Sequence, residues 1–399
     1  MTSVREAIKR LFAPPAPIPP GTYHYQAPAD APLPYRLHLR IEPGGHGVLI
    51  LNASTVMHLN PTATEFAYHL VQGTPEEEAA RSVASRYRVR ASQAKEDLRN
   101  LKERLDTLIH TPDLDPVTYL EFDRFAPYSQ EITAPYRLDC ALTYQLPGGM
   151  NPEYAPTKRV ERELNTAEWQ SILDKAWNAG IPHVVFTGGE ATLRDDLAEL
   201  VSYAEKKGMV SGLLTDGQRL GDPAYLNLIL QTGLDHIMLN LHPDNLQVAA
   251  ALKNALSADV YLVVHLTLTP ENAARMSWVV ERLAQMGIKA LSLSTSDISL
   301  RATQDSVREY AASQGMTLIW DLAVPYSVFN PVAIEAEENM APSGAGRAWL
   351  YVEPDGDVLP AQGVNRVLGN LLRDEWATVW ARARSESRVR TPGSPETRS

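Results

Sequence analysis

Cysteine is almost absent: among 399 residues only Cys140 carries a thiol, so no disulfide can close within the chain. Basic charge is short as well, with 37 Lys and Arg against 48 Asp and Glu and a net charge of -11. A field of that sign repels phosphate backbones and argues against nucleic acid as a partner. There is no uninterrupted apolar stretch of about 18 residues to span a bilayer. The opening MTSVREAIKRLF contains no apolar run leading into a cleavage site. The expectation is a cytoplasmic protein with no membrane partner. Repeats of solenoid length are missing too. What remains, 44% hydrophobic and 21% charged, is the composition of a soluble globular protein whose length exceeds one core and suggests two or three domains.

Proline supplies the first boundary. Residues 1–34 read as a short amphipathic helix followed by the extended linker APPAPIPPGTYHYQAPADAPLP. At the other end, 382–399 is polar and aperiodic and reads as a tail that does not order. Within 35–112, YRLHLRI alternates apolar and polar residues, EPGGHG supplies a turn and VLILNASTVMHL gives further strand-like runs. Asn60-Pro61 then opens a helix, Thr74-Pro75 a second, and Leu98, Leu101, Leu105 and Leu108 stripe a third, where packing in a core is the plain reading.

From about 130 to 300 the pattern changes to apolar runs, YRLDCALTY, HVVFTGGE, VSGLLTDG, HIMLNLHP, VYLVVHLTLT and ALSLSTS, alternating with helical stretches. Such alternation implies an α/β fold of parallel strands with right-handed crossovers, functional at the strand C-termini. Alternate-residue counting places Asn240 with His242, His265 with Thr267 and Thr269, and Ser292 with Ser294 on single faces. Two readings stay open: a polar cavity for a polar ligand, or faces whose hydrogen bonds are satisfied within the protein.

These segments resemble the radical S-adenosylmethionine (SAM) family. LTYQLPGGMNPEY is similar to its opening motif, a strand ending in Leu-Thr-Tyr that runs into CxxxCxxC and an aromatic residue. Leu142, Thr143, Tyr144 and Tyr154 fix the register, so the cysteine positions fall on Leu146, Met150 and Glu153. Gly188-Gly189-Glu190 resembles the GGE that meets the methionyl amino group of SAM. LLTDG, with Thr215 and Asp216, resembles the TNG segment, and MLNLHPD, with Asn240 and His242, the ISLDG segment. GAGRAWLYVEPDGDVLPAQGVNRVLGNLL resembles the SPASM or twitch extension, with Ser343 and Ala361 where auxiliary-cluster cysteines stand. MHLNPTATEFAYHLVQG resembles a PqqD-like winged helix that recognises leader peptides of ribosomally made, modified peptides (RiPPs). The resemblance implies a winged-helix domain over 35–112, a partial (β/α)6 TIM-like barrel over 130–300 and a degenerate extension over 301–381.

The departures decide the chemistry. Leu146 and Met150 offer no anionic sulfur and Glu153 offers hard oxygen, so the loop does not suit an iron-sulfur cubane. No 4Fe-4S cluster is expected. SAM remains a possible ligand of Gly188, Gly189, Glu190, Thr215, Asn240, His242 and His265, against the alternative that the GGE persists only as a turn with a helix N-terminal acid. A metal shared by His242, His265 and Glu190 or Glu153 lacks any tight ligand spacing. Cys140, on an apolar strand, reads as inert.

The leading expectation is a cluster-less scaffold in RiPP modification. It would bind a precursor leader peptide as an added strand at Val56 and His58, with Leu98 and Leu101 lining a groove, and partner a cluster-bearing radical SAM enzyme. The alternative is an enzyme using the barrel pocket for non-radical, SAM-dependent chemistry. A winged-helix transcription factor is disfavoured by the acidic charge.

Overall fold

The computed structural model describes residues 18–28, 30–111, 132–149, 153–241, 247–319, 322–328, 330, 332 and 344–389. The chain divides into two compact units, Met1–Thr133 and Ala134–Ser399.

In the first unit, β1 (Gly21–Gln26), β2 (Arg36–Ile41), β3 (Gly47–Leu51) and β4 (Thr55–Leu59) form an antiparallel meander in chain order. Three helices follow: α1 (Pro61–Val71), α2 (Glu76–Tyr87) and α3 (Ala91–His110). Local chemistry explains their starts. Asn60 Oδ1 accepts from the Ala63 N–H at 2.9 Å with Pro61 in the first turn, and Glu76, Glu77 and Glu78 meet the N-terminal dipole of α2. One sheet face, Leu37, Leu39, Ile41, Leu49, Leu51, Met57 and Leu59, forms a core with Ala67, Val71, Leu105 and Leu108. A second cluster joins Phe66, Ala79, Ala80, Val83, Ala94 and Leu98.

The second unit alternates strand and helix: β5 (Arg137–Thr143), α4 (Thr166–Asn178), β6 (His183–Gly188), α5 (Leu197–Lys207), β7 (Val210–Thr215), α6 (Pro223–Leu230), β8 (His236–Asn240), α7 (Gln247–Leu256), β9 (Tyr261–Leu268), α8 (Met276–Gln285), β10 (Ala290–Thr295), α9 (Arg301–Ser313) and β11 (Thr317–Leu318). Then come β12 (Trp349–Val352), β13 (Asp357–Leu359), β14 (Gly369–Asn370) and α10 (Trp376–Val389). Strands β5 to β11 lie side by side in chain order and all parallel. Each crossover therefore advances one strand in a single direction, the winding of a TIM-like barrel and not of a doubly wound sheet. The sheet stays open: β12 adds parallel to β5 on the other side, and β13 and β14 extend it antiparallel. The α/β architecture with a parallel sheet agrees with the expectation.

Three boundaries differ from the sequence reading. The stretch expected as a linker contributes β1, whose Gly21–Gln26 pairs residue by residue with Ile41–Arg36. The barrel runs past 300, because α9 and β11 complete another crossover. The helix α10 continues to Val389, beyond the expected start of the tail. Among the described residues, no helix is long and apolar enough to cross a membrane.

Candidate functional site

Neighbouring strand residues in register face the same side of a sheet, and alternate residues face opposite sides. Ala141, Val185, Leu214, Met238, Val263 and Ala290 share one buried cluster inside the barrel. One step further along the same face the strands turn polar. Asn240 stands in register with His265 and His265 with Ser292, and Thr267 stands beside Ser294.

Those polar groups are largely satisfied by one another. The fully buried His265 ring has Nδ1 at 3.0 Å from Ser292 Oγ and Nε2 at 3.0 Å from Ser294 Oγ, and Thr267 Oγ1 lies 3.1 Å from Ser294 Oγ. Burial pushes its pKa down to about 3, so the ring is a neutral hydrogen-bonding element. His265 is thus placed at the strand ends as expected, but both ring nitrogens are engaged. Asn240 is half-buried at the end of β8. His242 and Met150 lie outside the described residues.

The GGE turn is built by close backbone approach. Gly188 has φ +130°, and a Cβ there would sit 2.1 Å from Thr143 O; one on Gly189 would sit 2.3 Å from Gln145 O. Only glycine fits either position. The Gly189 and Glu190 N–H groups donate to those same carbonyls, each at 2.8 Å. Glu190 is 2% exposed and both its carboxylate oxygens are engaged: Oε1 accepts from Thr192 N–H (3.0 Å), Thr192 Oγ1–H (2.6 Å) and Thr215 Oγ1–H (2.7 Å), and Oε2 from Asp216 N–H (2.7 Å). Burial and the neighbouring Asp216 carboxylate push its pKa up to about 7. Glu190 and Thr215 therefore tie the ends of β6 and β7 together, and the acceptor expected for an ammonium group is used inside the protein.

The described residues around the expected cluster positions are also tied down. Leu146 packs against the interior cluster beside Tyr144 and Val160, whereas Glu153 is exposed. Glu163 Oε1 accepts from Thr143 Oγ1–H at 2.6 Å and from Tyr144 N–H at 3.0 Å. Buried Glu353, just past β12, accepts from Tyr144 O–H at 2.9 Å and pairs with Arg159 at 3.0 Å. Cys140 is fully buried on β5, where burial pushes its thiol pKa far above the usual range. The donor set of this loop does not fit an iron-sulfur cluster: an apolar side chain, a thioether residue and an exposed carboxylate stand where three thiolates are needed. Among the described residues, no group of three or more His, Cys, Asp or Glu could hold a metal ion.

Sequence reasoning missed the other end of the barrel interior. His183 Nε2 and His236 Nε2 meet at 2.8 Å, and Gly212, on the strand between theirs, stands in register with His236 and Val185. A Cβ on Gly212 would sit 2.0 Å from the His236 ring. Burial and the Arg137 charge lower the His236 pKa to about 4. Buried Asp139, in turn, holds Arg137 through two hydrogen bonds of 2.7 and 3.1 Å. This layer is a packed polar core, and only the paired glycine and histidines in strand-like runs hinted at it.

In the first unit, β4 lies at the sheet edge. The Asn52 N–H donates to Arg36 O at 3.1 Å, so Leu51 and its partner Thr55 face each other across β3 and β4, and alternation turns the backbone of Val56 away from β3. Val56 is only half-buried. Leu98 corrects the groove expected along α3: at 4% exposure it belongs to the core with Phe66 and Val83. Leu101 packs, partly buried, against both clusters.

Residues 140–267 match the Radical SAM superfamily. The PqqA peptide cyclase of Xanthomonas axonopodis pv. citri (strain 306) is 28% identical over 273 residues, 59% of this chain and 71% of that one. In fold, the chain is similar to Streptococcus suis SuiB bound to precursor peptide SuiA, with TM-score 0.55, 15% identity and 86% of each chain covered. SuiB bound to S-adenosylmethionine gives TM-score 0.54 at 15% identity, over 90% of this chain and 88% of that one.

Proposed function

We propose that this protein is a cluster-less radical SAM-like scaffold in RiPP modification, holding a precursor leader peptide on its first unit for a partner enzyme. The single observation that carries the reading is the donor set Leu146, Met150 and Glu153 in a chain whose one thiol is buried on β5. A fold of this family without thiolates keeps its shape and its peptide-handling unit but not reductive SAM cleavage. The internal donors to both Glu190 oxygens support the same reading, because a SAM amino group meets a carboxylate already engaged within the chain. The similarity to PqqA peptide cyclases and to a precursor-bound SuiB supports peptide modification as the setting. The partner is a cluster-bearing radical SAM enzyme, the winged-helix reading belongs to the first unit, and β12 to β14 stand as a SPASM or twitch remnant.

The peptide adds as a strand along β4. Each backbone bond contributes about 0.5–1.5 kcal/mol net, so several bonds along the edge are required for about micromolar affinity. Val56→Pro removes one outward N–H while sparing the bonds to β3, so it separates edge recognition from folding. Fluorescence anisotropy of the full chain with peptides encoded beside its gene should show binding that Val56→Pro abolishes at unchanged circular dichroism. Equal binding by the variant, or none by the parent, would remove peptide recognition from the account.

A further inference from the structure

Residues 319 and 322–328, beyond β11, meet widely separated strands. The Ile319 N–H still extends the parallel ladder, donating to Leu291 O at 2.8 Å, while the Tyr326 N–H donates to Gly188 O at 2.8 Å, on the far side of β7 to β10. Ala323 and Tyr326 are buried in the interior cluster, and Ile319, Leu322, Val324 and Val332 pack against it. The Tyr326 ring meets Tyr144 edge-on at 5.5 Å. Tyr326 thus sits against the Gly188 carbonyl of the GGE turn, at the C-terminal end of β6.

We propose that residues 322–328 are a displaceable cap, an occupant supplied by the chain itself that closes the barrel mouth and lifts as a unit. No regular ladder seats it: 322–326 has no regular secondary structure. Besides the Tyr326 N–H, the Val324 carbonyl accepts from Gln362 Nε2 at 2.7 Å and from Asn330 Nδ2 at 3.0 Å, the Pro325 carbonyl accepts from Asn330 Nδ2 at 3.4 Å, and Ser327 and Asn330 exchange backbone bonds of 3.1 and 3.2 Å. One hydroxyl of the cap favours opening. Tyr326 Oη, in a residue 1% exposed, has no hydrogen-bond partner among the described residues. Lifting the cap gives this hydroxyl water and costs the apolar burial of Tyr326 and Ala323. The closed state therefore combines a favourable apolar seat with one unpaired polar group, which is how a segment is held loosely in place. Val328, 53% exposed, lies at its outer end. The inference is independent of peptide binding on the first unit.

Hydrogen exchange of the full chain, read by mass spectrometry on peptides covering 322–328 and β5 to β7, tests this. In the parent, the cap amides should be protected but exchange at least about tenfold faster than those of the strands, through local opening. Gln362→Ala should speed cap exchange by about fivefold, the equivalent of one net hydrogen bond, and leave β5 to β7 unchanged. Tyr326→Phe, which deletes the unpartnered hydroxyl and keeps the ring, should slow it. Exchange of the cap only together with the strands would make it fixed core, and exchange at the rate of an unstructured peptide would mean it is not seated. Either result overturns the proposal, as does a cap indifferent to both substitutions.

Discussion

Glu190 sits where a proton is shared between folding and solvent. Its pKa rises from the ordinary 4.5 to about 7 in the fold, through burial and the Asp216 carboxylate, so the stability it contributes is full below pH 4.5 and is lost as pH rises through about 7. Glu190→Gln carries no titration. Urea denaturation at about pH 5 and about pH 8 should therefore show the parent losing on the order of 2–3 kcal/mol relative to the variant as pH increases; a constant difference would mean that Glu190 stays ionised throughout. The neutral histidines act in the opposite sense. His265 and His236, with folded values of about 3 and about 4, contribute stability that is present above the unfolded value near 6.5 and lost as pH falls below it. Gly212 makes a prediction independent of pH. A methyl group there enters the His236 ring, and Gly212→Ala should cost about 1–3 kcal/mol of unfolding free energy by chemical denaturation, as overpacking does. An unchanged midpoint would show that the His183–His236 contact yields freely.

At the scale of elements, the parallel strands were legible because both faces are buried, so each reads as an apolar run closed by glycine or proline chemistry. The change from Met238 to Asn240 and from Val263 to His265 likewise disclosed a polar layer on one face. Whether that layer was open or satisfied was not legible, since the answer depends on partners brought together by the fold. Glu163 reaches Tyr144 across 19 residues and Glu353 reaches it across 209, and no local pattern marks either. The strand β1 was hidden by its setting. GTYHYQ lies between prolines, and only pairing with β2 makes it a strand. The leucine stripe of α3 carried its plain meaning at Leu98, which is core. A groove at that position required a side chain that the packing does not leave free.

For the whole molecule, the proposed function assigns peptide handling to the first unit and no cluster chemistry to the second. In the second unit the GGE turn and the polar strand ends are held by hydrogen bonds and apolar packing within the chain. The first unit keeps an edge strand whose Val56 backbone faces outward. The central claim is that no residues remain to hold a cluster, and anaerobic reconstitution of the full chain with iron and sulfide tests it most directly. With one thiol, buried and held in its protonated form, the desalted protein should be colourless and carry no stoichiometric iron or sulfide. Four irons and four sulfides per chain, with visible cluster absorption that bleaches on reduction, would contradict the account.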